Sequence, residues 1–352
     1  MSCFLNSKYK SLVPYTPGEQ PKNMEYVKLN TNESPFPPSF IAQDMAKKAA
    51  EKLQLYSDPE CRDLVKTAAD YFGVETDEII FTNGSDEVLN FAFMAFCENG
   101  AVFPDITYGF YSVFAELNDV DYSEIPLNDD FSVDINKYIG VNKTVFLANP
   151  NAPTGIALSV EEIEKIVKSN PENVVVIDEA YVDFGADSVI PLIKKYDNLL
   201  VTQTFSKSRS LAGGRLGFGI GSKNLIRDLN AIRYSTNPYN VNSVTAAAGI
   251  GSLLDDVYIK SNCKKIIENR EYLIGELEKL DFTMTTSCAN FIFAKHKSIS
   301  GKDIYIKLKE KGVLVRYFDK ERLRDYTRIT IGSKEQLEIL ICKIKEIIEE
   351  LL

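Results

Sequence analysis

The chain of 352 residues contains a single histidine, His296. Ser-His-Asp triads, histidine-rich metal sites and imidazole proton shuttles all require a well-placed imidazole, so one histidine removes most of those classes. His296 lies in AKHKSISGK, a charged stretch at a strand end, which predicts an exposed ring without a catalytic role. Any chemistry then rests on a lysine, a carboxylate, a tyrosine or a cofactor. The six cysteines (Cys3, Cys61, Cys97, Cys263, Cys288, Cys342) are scattered without C-x-x-C spacing. Neither a disulfide framework nor a zinc site is expected, and the spacing predicts reduced thiols in a cytoplasmic protein. Long apolar runs are also missing. The longest, Phe91 to Cys97, falls well short of the ~18 residues that suggest a membrane span. The opening MSCFLNSKYKSLVPYTPGEQ lacks the apolar centre of a signal peptide and reads as an arm of the mature protein. Basic residues are outnumbered, 40 Lys+Arg against 50 Asp+Glu for a net charge of −10, so the average field repels phosphate backbones and anionic lipid. No partnership with nucleic acid or membrane is expected.

Hydrophobic residues at 45% and charged residues at 26% are ordinary for a globular chain with a sizeable core. Short β-rich runs alternate with helical stretches: EIIFTNG before SDEVLNFAFMAF, AVFPD before GFYSVFAEL, KTVFLANP before VEEIEKIVKS, then NVVVIDEA and NLLVTQTFSK. Runs such as VVVI are apolar on both faces, as strands of a helix-covered parallel sheet are. The pattern changes near Asp255 to a long charged amphipathic helix. Strand ANFIFAK, helix KDIYIKLKEK, strands VLVRYF and TRITIG and a closing helix follow. The expected division is an N-terminal arm (1–30), a large α/β domain (31–255) and a smaller α+β domain (256–352).

Ligands of such sheets bind at the carboxyl ends of the strands, and four successive strand ends carry unusual groups. EIIFT ends in Asn83-Gly84-Ser85-Asp86 before a helix, where Ser85 or Asp86 could cap it and free N–H groups could hold an anion. KTVFLANPNAPTG places Asn149 and Asn151 in a loop with two prolines and a glycine. NVVVIDEAYVDF ends in Asp178, followed by Glu179, Tyr181 and Asp183; a carboxylate there needs a cation, a donor or a helix N-terminus. LLVTQTFSKSRSLAGGRLGFG sets Thr204, Ser206 and Lys207 at a strand end and Arg215 after a Gly-rich turn. Gly217, Gly219 and Gly221 are followed by Ser222, so G-x-G-x-x-G is not met, and neither a P-loop nor G-x-S-x-G occurs.

The ordered set Asn151, Asp178, Tyr181, Lys207 and Arg215 resembles the fold-type I pyridoxal-phosphate aminotransferases, most closely their histidinol-phosphate aminotransferase branch. The supporting strings VPYTPGEQP, KLNTNESPFPPS, LYSDPE, FTNGSDEVL, PDITYGFY, ANPNAPTG, VIDEAYVDF, TFSKSRSLAGGRLGFGIG and YTRITIG span nearly the whole chain. The resemblance implies a mostly parallel sheet in the large domain and pyridoxal 5'-phosphate as cofactor. It implies that Lys207 holds the cofactor covalently and, once displaced, moves the substrate's Cα proton. Asp178 would keep the ring nitrogen protonated, Tyr181 and Asn151 would donate to the ring hydroxyl oxygen, and Tyr108 would stack on the ring. The cofactor phosphate would lie at Ser85 and Asp86, with Ser206 and Arg215 completing its cage. Tyr56 would reach that phosphate from a neighbouring subunit, implying a homodimer with shared sites; its alternative is a buried helix-end aromatic. Arg328 would bind the carboxylate or phosphate of a substrate, with Arg316 as a second cation. Asn32 and Tyr15 would line the substrate pocket. The activity implied is transfer of an amino group from histidinol phosphate to a 2-oxo acid. An aromatic amino-acid aminotransferase and a threonine-phosphate decarboxylase are the alternatives on the same scaffold.

Overall fold

The computed structural model describes residues 2–10, 12–22 and 24–352. Seven strands form the main sheet, in the order Ile79–Thr82, Gly217–Gly221, Leu199–Thr204, Val175–Asp178, Thr144–Ala148, Ala101–Pro104, Tyr122–Ile125. Only Gly217–Gly221 runs against its neighbours; the other pairings are parallel. Alternation along the strands explains the layering. Val145, Leu147, Val175, Ile177, Leu199 and Val201 enter one core cluster, whereas Phe146, Val176 and Leu200 enter another across the sheet. Helices Arg62–Phe72, Val160–Ser169 and Ser243–Leu254 cover the first face, and Ser85–Phe96, Phe110–Asn118 and Lys223–Thr236 the second. Burial on both faces is why these strands read as continuous apolar runs.

The glycines of Gly217–Gly221 have a structural cause. A Cβ on Gly217 would overlap the backbone of Gly84 and Ser85, and one on Gly219 would meet Val88 Cγ1 at 2.9 Å. The strand therefore lets the first turn of helix Ser85–Phe96 lie directly against the sheet.

A second, antiparallel sheet has the order Arg316–Tyr317, Thr327–Thr330, Phe291–His296, Phe282–Met284, packed with helices Asp256–Glu278, Gly301–Glu310 and Lys334–Leu351. The segment VLVRYF, expected as one strand, is divided between two sheets. Val313–Leu314 pairs in parallel with Val27–Lys28, while Arg316–Tyr317 pairs with Thr327 and Arg328; Val315 between them is buried. The end of the N-terminal segment is thus a strand, and Leu29 joins the core of the C-terminal half.

His296 departs from expectation. It is 6% exposed, packs edge-on against Phe282, and its Nδ1 accepts the N–H groups of Ser298 and Ile299. The ring closes a turn after its strand, and burial lowers its pKa.

Candidate active site

Strands Ile79–Thr82, Thr144–Ala148, Val175–Asp178 and Leu199–Thr204 end at one edge of the main sheet, where two adjoining cavities of about 380 and 320 Å³ open. They share Thr31, Tyr108, Ala152, Tyr181 and Lys207, so the lysine stands at their junction. Its Nζ donates to the Thr31 carbonyl at 3.1 Å and lies 5.6 Å from the Tyr181 ring centre.

In the first cavity Asp178 is buried at the end of its strand. Its carboxyl accepts from the Tyr111 hydroxyl (3.3 Å), the Ala180 N–H (3.2 Å) and the Thr202 hydroxyl (3.4 Å), with no cation paired to it among the described residues. Burial, reinforced by the charge of Asp86, pushes it up to about 7. Glu179 points elsewhere, accepting from Ser188, the Val189 N–H and Gln203, and burial raises it likewise to about 7.

At the other end of this cavity helix Ser85–Phe96 begins. Neither Ser85 nor Asp86 caps it; Gly84 is the cap, without a side-chain bond, so the N-terminus faces the cavity uncapped. Arg215, held at φ 55°, lays its guanidinium over Gly84, where a Cβ would collide with it. It donates to Asp86 Oδ2 (3.2 Å) and Ser206 Oγ (3.4 Å), while the Tyr108 hydroxyl donates to Asp86 Oδ1 (2.7 Å). Sequence reading brings Ser85, Asp86, Tyr108, Asp178, Tyr181, Ser206, Lys207 and Arg215 to this cavity, and all eight line it.

Asn151 does not. Its Nδ2 donates to the Ile106 carbonyl (3.0 Å) and Thr154 Oγ1 (3.1 Å), and its Oδ1 accepts from Thr107 (2.8 Å). The amide ties its loop to the segment after strand Ala101–Pro104, and Ala152 presents the next side chain to both cavities. Tyr56 is 85% exposed, stacked on Tyr239 at 4.7 Å and not among the residues lining this cavity; its exposure removes the buried-aromatic alternative.

The second cavity holds the remaining expected residues. Asn32, at φ 57°, donates to the Tyr181 hydroxyl (3.0 Å) and accepts from Thr330 (3.0 Å), tying that hydroxyl to the C-terminal sheet. Arg328 lies between Phe291 and Phe318, donates to the Asn30 carbonyl (3.0 Å), and keeps a buried Nε without a partner. Burial lowers its pKa. Arg316 donates to the carbonyls of Thr16 (3.0 Å) and Pro17 (3.1 Å), and Tyr15 stacks on Phe110 at 4.2 Å. Sequence reading missed Tyr111 and Thr202 behind Asp178.

The class follows from comparison as well as geometry. Residues 24–344 match the family of aminotransferases of class I and II, and the chain belongs to that family. It is 50% identical to the histidinol-phosphate aminotransferase of Brachyspira hyodysenteriae over 99% of this chain and 100% of that one. Identity to the enzyme of the same name from Clostridium botulinum (strain Kyoto) is 47%, over the full length of both. The solved histidinol-phosphate aminotransferase of Sinorhizobium meliloti, in complex with pyridoxal-5'-phosphate, superposes with a TM-score of 0.91 over 100% of this chain and 99% of that one; at 24% identity this likeness gives the fold. Within the family, the chain groups with the histidinol-phosphate aminotransferases and is a pyridoxal-phosphate-dependent transaminase.

The residues present fit that cofactor. A fully buried carboxyl without a cation suits a protonated ring nitrogen. An amine stands between the cavities, and an uncapped helix N-terminus with an arginine beside it suits a phosphate.

Proposed function

We propose that the chain transfers the amino group of histidinol phosphate to 2-oxoglutarate, giving imidazole acetol phosphate and glutamate in histidine biosynthesis. The observation that carries this reading is the second cavity: it opens onto Lys207 and is lined by Arg316 and Arg328 but by no carboxylate. An anionic substrate group seated there leaves the substrate amine facing Lys207. The names borne by relatives at 46–50% identity support the same substrate.

Bound pyridoxal phosphate supplies an electron sink for the charge left when the substrate's Cα proton departs. Lys207 Nζ holds the cofactor and afterwards carries that proton. Asp178, supported by Tyr111, Thr202 and the Ala180 N–H, orients and stabilises the ring-nitrogen proton. Tyr181, held by Asn32, would donate to the ring hydroxyl, and Tyr108 would contact the ring. The backbone N–H groups of Ser85 and Asp86 at the helix start, with Ser206 and Arg215, would bind the phosphate, while the Asp86 carboxylate stays with Arg215 and Tyr108. Arg328 is the principal anion anchor for both substrates, with Arg316 beside it and Tyr15 and Asn32 shaping the wall.

The reading includes a cytoplasmic homodimer with shared sites. Its support is the exposed Tyr56–Tyr239 stack, suited to reaching a partner's phosphate site, and the free state of the cysteines. No described helix is long and apolar enough to cross a membrane.

The test is a half-reaction: L-histidinol phosphate is added to the loaded enzyme without an oxo acid. Stoichiometric loss of the visible cofactor band is expected, with no loss in Lys207→Ala. A band that persists with histidinol phosphate but falls with phenylalanine or tyrosine would refute the substrate assignment.

A further inference from the structure

The second cavity carries a third cation that neither the motifs nor the resemblance singles out. After the two-residue strand Arg316–Tyr317, residues Phe318 and Lys320 line the cavity with Arg316, while Tyr317 and Asp319 do not. Tyr317 and Asp319 bond to each other instead. The lining thus holds Lys207, Arg316, Lys320 and Arg328 with no aspartate or glutamate, inside a chain of net charge −10.

These cations differ in how far they are committed. Lys207 donates to Thr31, Arg316 to Thr16 and Pro17, and Arg328 to Asn30. Lys320 makes no ion pair within 4 Å among the described residues; its electrostatic neighbour is Glu124, in the outermost strand of the main sheet. An exposed lysine is a flexible point charge that can swing to a bound anion, whereas the two arginines are fixed by packing and backbone carbonyls.

We propose that Lys320 is a specificity-determining residue, completing with Arg316 and Arg328 a three-cation seat that distinguishes a doubly charged phosphate monoester from a singly charged carboxylate. This rests on the reading of the amino donor as a phosphate ester. Each carboxylate of the oxo acid carries one negative charge, which an arginine satisfies; the ester concentrates close to two on a single group. The second charge is the one Lys320 meets.

The test uses the loaded enzyme, whose own phosphate site is filled, at pH 8. Methyl phosphate and methyl sulfate have the same shape and differ by one charge, and their binding is measured calorimetrically to the wild type, Lys320→Gln and Lys320→Arg. A charged hydrogen bond commonly carries about tenfold or more in affinity, so the wild type is expected to prefer the phosphate by about that factor. Lys320→Gln should lose the preference and Lys320→Arg keep it. In turnover, the KM for histidinol phosphate should rise about tenfold in Lys320→Gln, while that for 2-oxoglutarate moves less than about threefold. Retained preference in Lys320→Gln, or equal weakening of both anions, would overturn the proposal. A wild type that separates phosphate from sulfate but does not turn over histidinol phosphate would leave the seat standing and reject the substrate reading.

Discussion

Asp178→Asn is expected to stabilise the cofactor-free chain above neutral pH while abolishing efficient turnover. Asp178 is buried, its hydrogen bonds come from two hydroxyls and one N–H, and its pKa rises from 3.8 to about 7, chiefly through burial. The folded pKa lies above the unfolded one, so the contribution is fully present below about pH 4 and is lost as pH rises through about 7. Between those values the folded chain holds a proton that the unfolded chain has released. At about 1.4 kcal/mol per pH unit, the interval amounts to about 4 kcal/mol, an upper value because protein interiors relax around charges. Asparagine keeps an acceptor for the Ala180 N–H and carries no charge to desolvate. Urea unfolding of the cofactor-free proteins at pH 5 and pH 8 should show a wild type that weakens with pH. The variant should weaken less, because Glu179, raised likewise to about 7, still titrates in both proteins, and the gap at pH 8 should be about 2–4 kcal/mol. Adding pyridoxal phosphate should stabilise the wild type more than the variant, since only the carboxylate gains a charge partner. Equal pH dependence in the two proteins would refute the argument that this carboxyl is the uncompensated one.

Gly217→Ala would force a methyl group into the backbone of Gly84 and Ser85, and should destabilise by about 1–3 kcal/mol and weaken cofactor retention, read by melting and by dialysis. Arg328→Lys keeps the charge but loses the planar fork held between Phe291 and Phe318; kcat/KM for both substrates should fall by about 10- to 100-fold in steady-state kinetics, and an unchanged value would remove Arg328 as the anchor. If Tyr56 completes the partner's site, mixing Tyr56→Ala with Lys207→Ala protein under subunit exchange should restore about a quarter of wild-type sites, because a mixed dimer carries one intact site in two. No recovery on mixing would show that each site is built from one chain.

The legible parts of this structure are those in which a residue's chemistry and its position along the chain carry the same message. Lys207 and Asp178 are polar groups at the ends of apolar strands, Arg215 follows a Gly-rich turn, and Ser85 opens a helix after a glycine, so both their type and their place mark them. Asn151 misleads because an NPNAPTG loop offers two adjacent positions and sequence alone does not say which faces inward. Three hydrogen bonds hold the asparagine amide, one to Thr154 in its loop and two to Ile106 and Thr107 of the neighbouring segment, while Ala152 lines the cavity. His296 misleads for a related reason: the lysines around it are exposed, but period-two alternation turns the ring itself inward against Phe282. Gly217–Gly221 was weighed against a nucleotide fingerprint it does not meet. Its alternation answers a packing requirement, and a helix lying on a strand is visible only once the two are in contact.

The same reasoning explains how an acidic protein can take anionic substrates. Asp86, Asp178 and Glu33 line the first cavity, and the carboxylates are absent from the lining of the second, although the two share Lys207 and Tyr181. Charge is therefore sorted over a few ångströms by which strand end each side chain occupies, while the net charge of −10 describes the outer surface. Near Lys207 the two fields oppose each other. Carboxylates on one side attract a cationic group and arginines on the other an anionic one, so a substrate that carries both is turned with its anion toward Arg316 and Arg328 and its amine toward Lys207. The separation of the anion seat from Lys207 is then part of the orientation of the substrate as well as of its recognition.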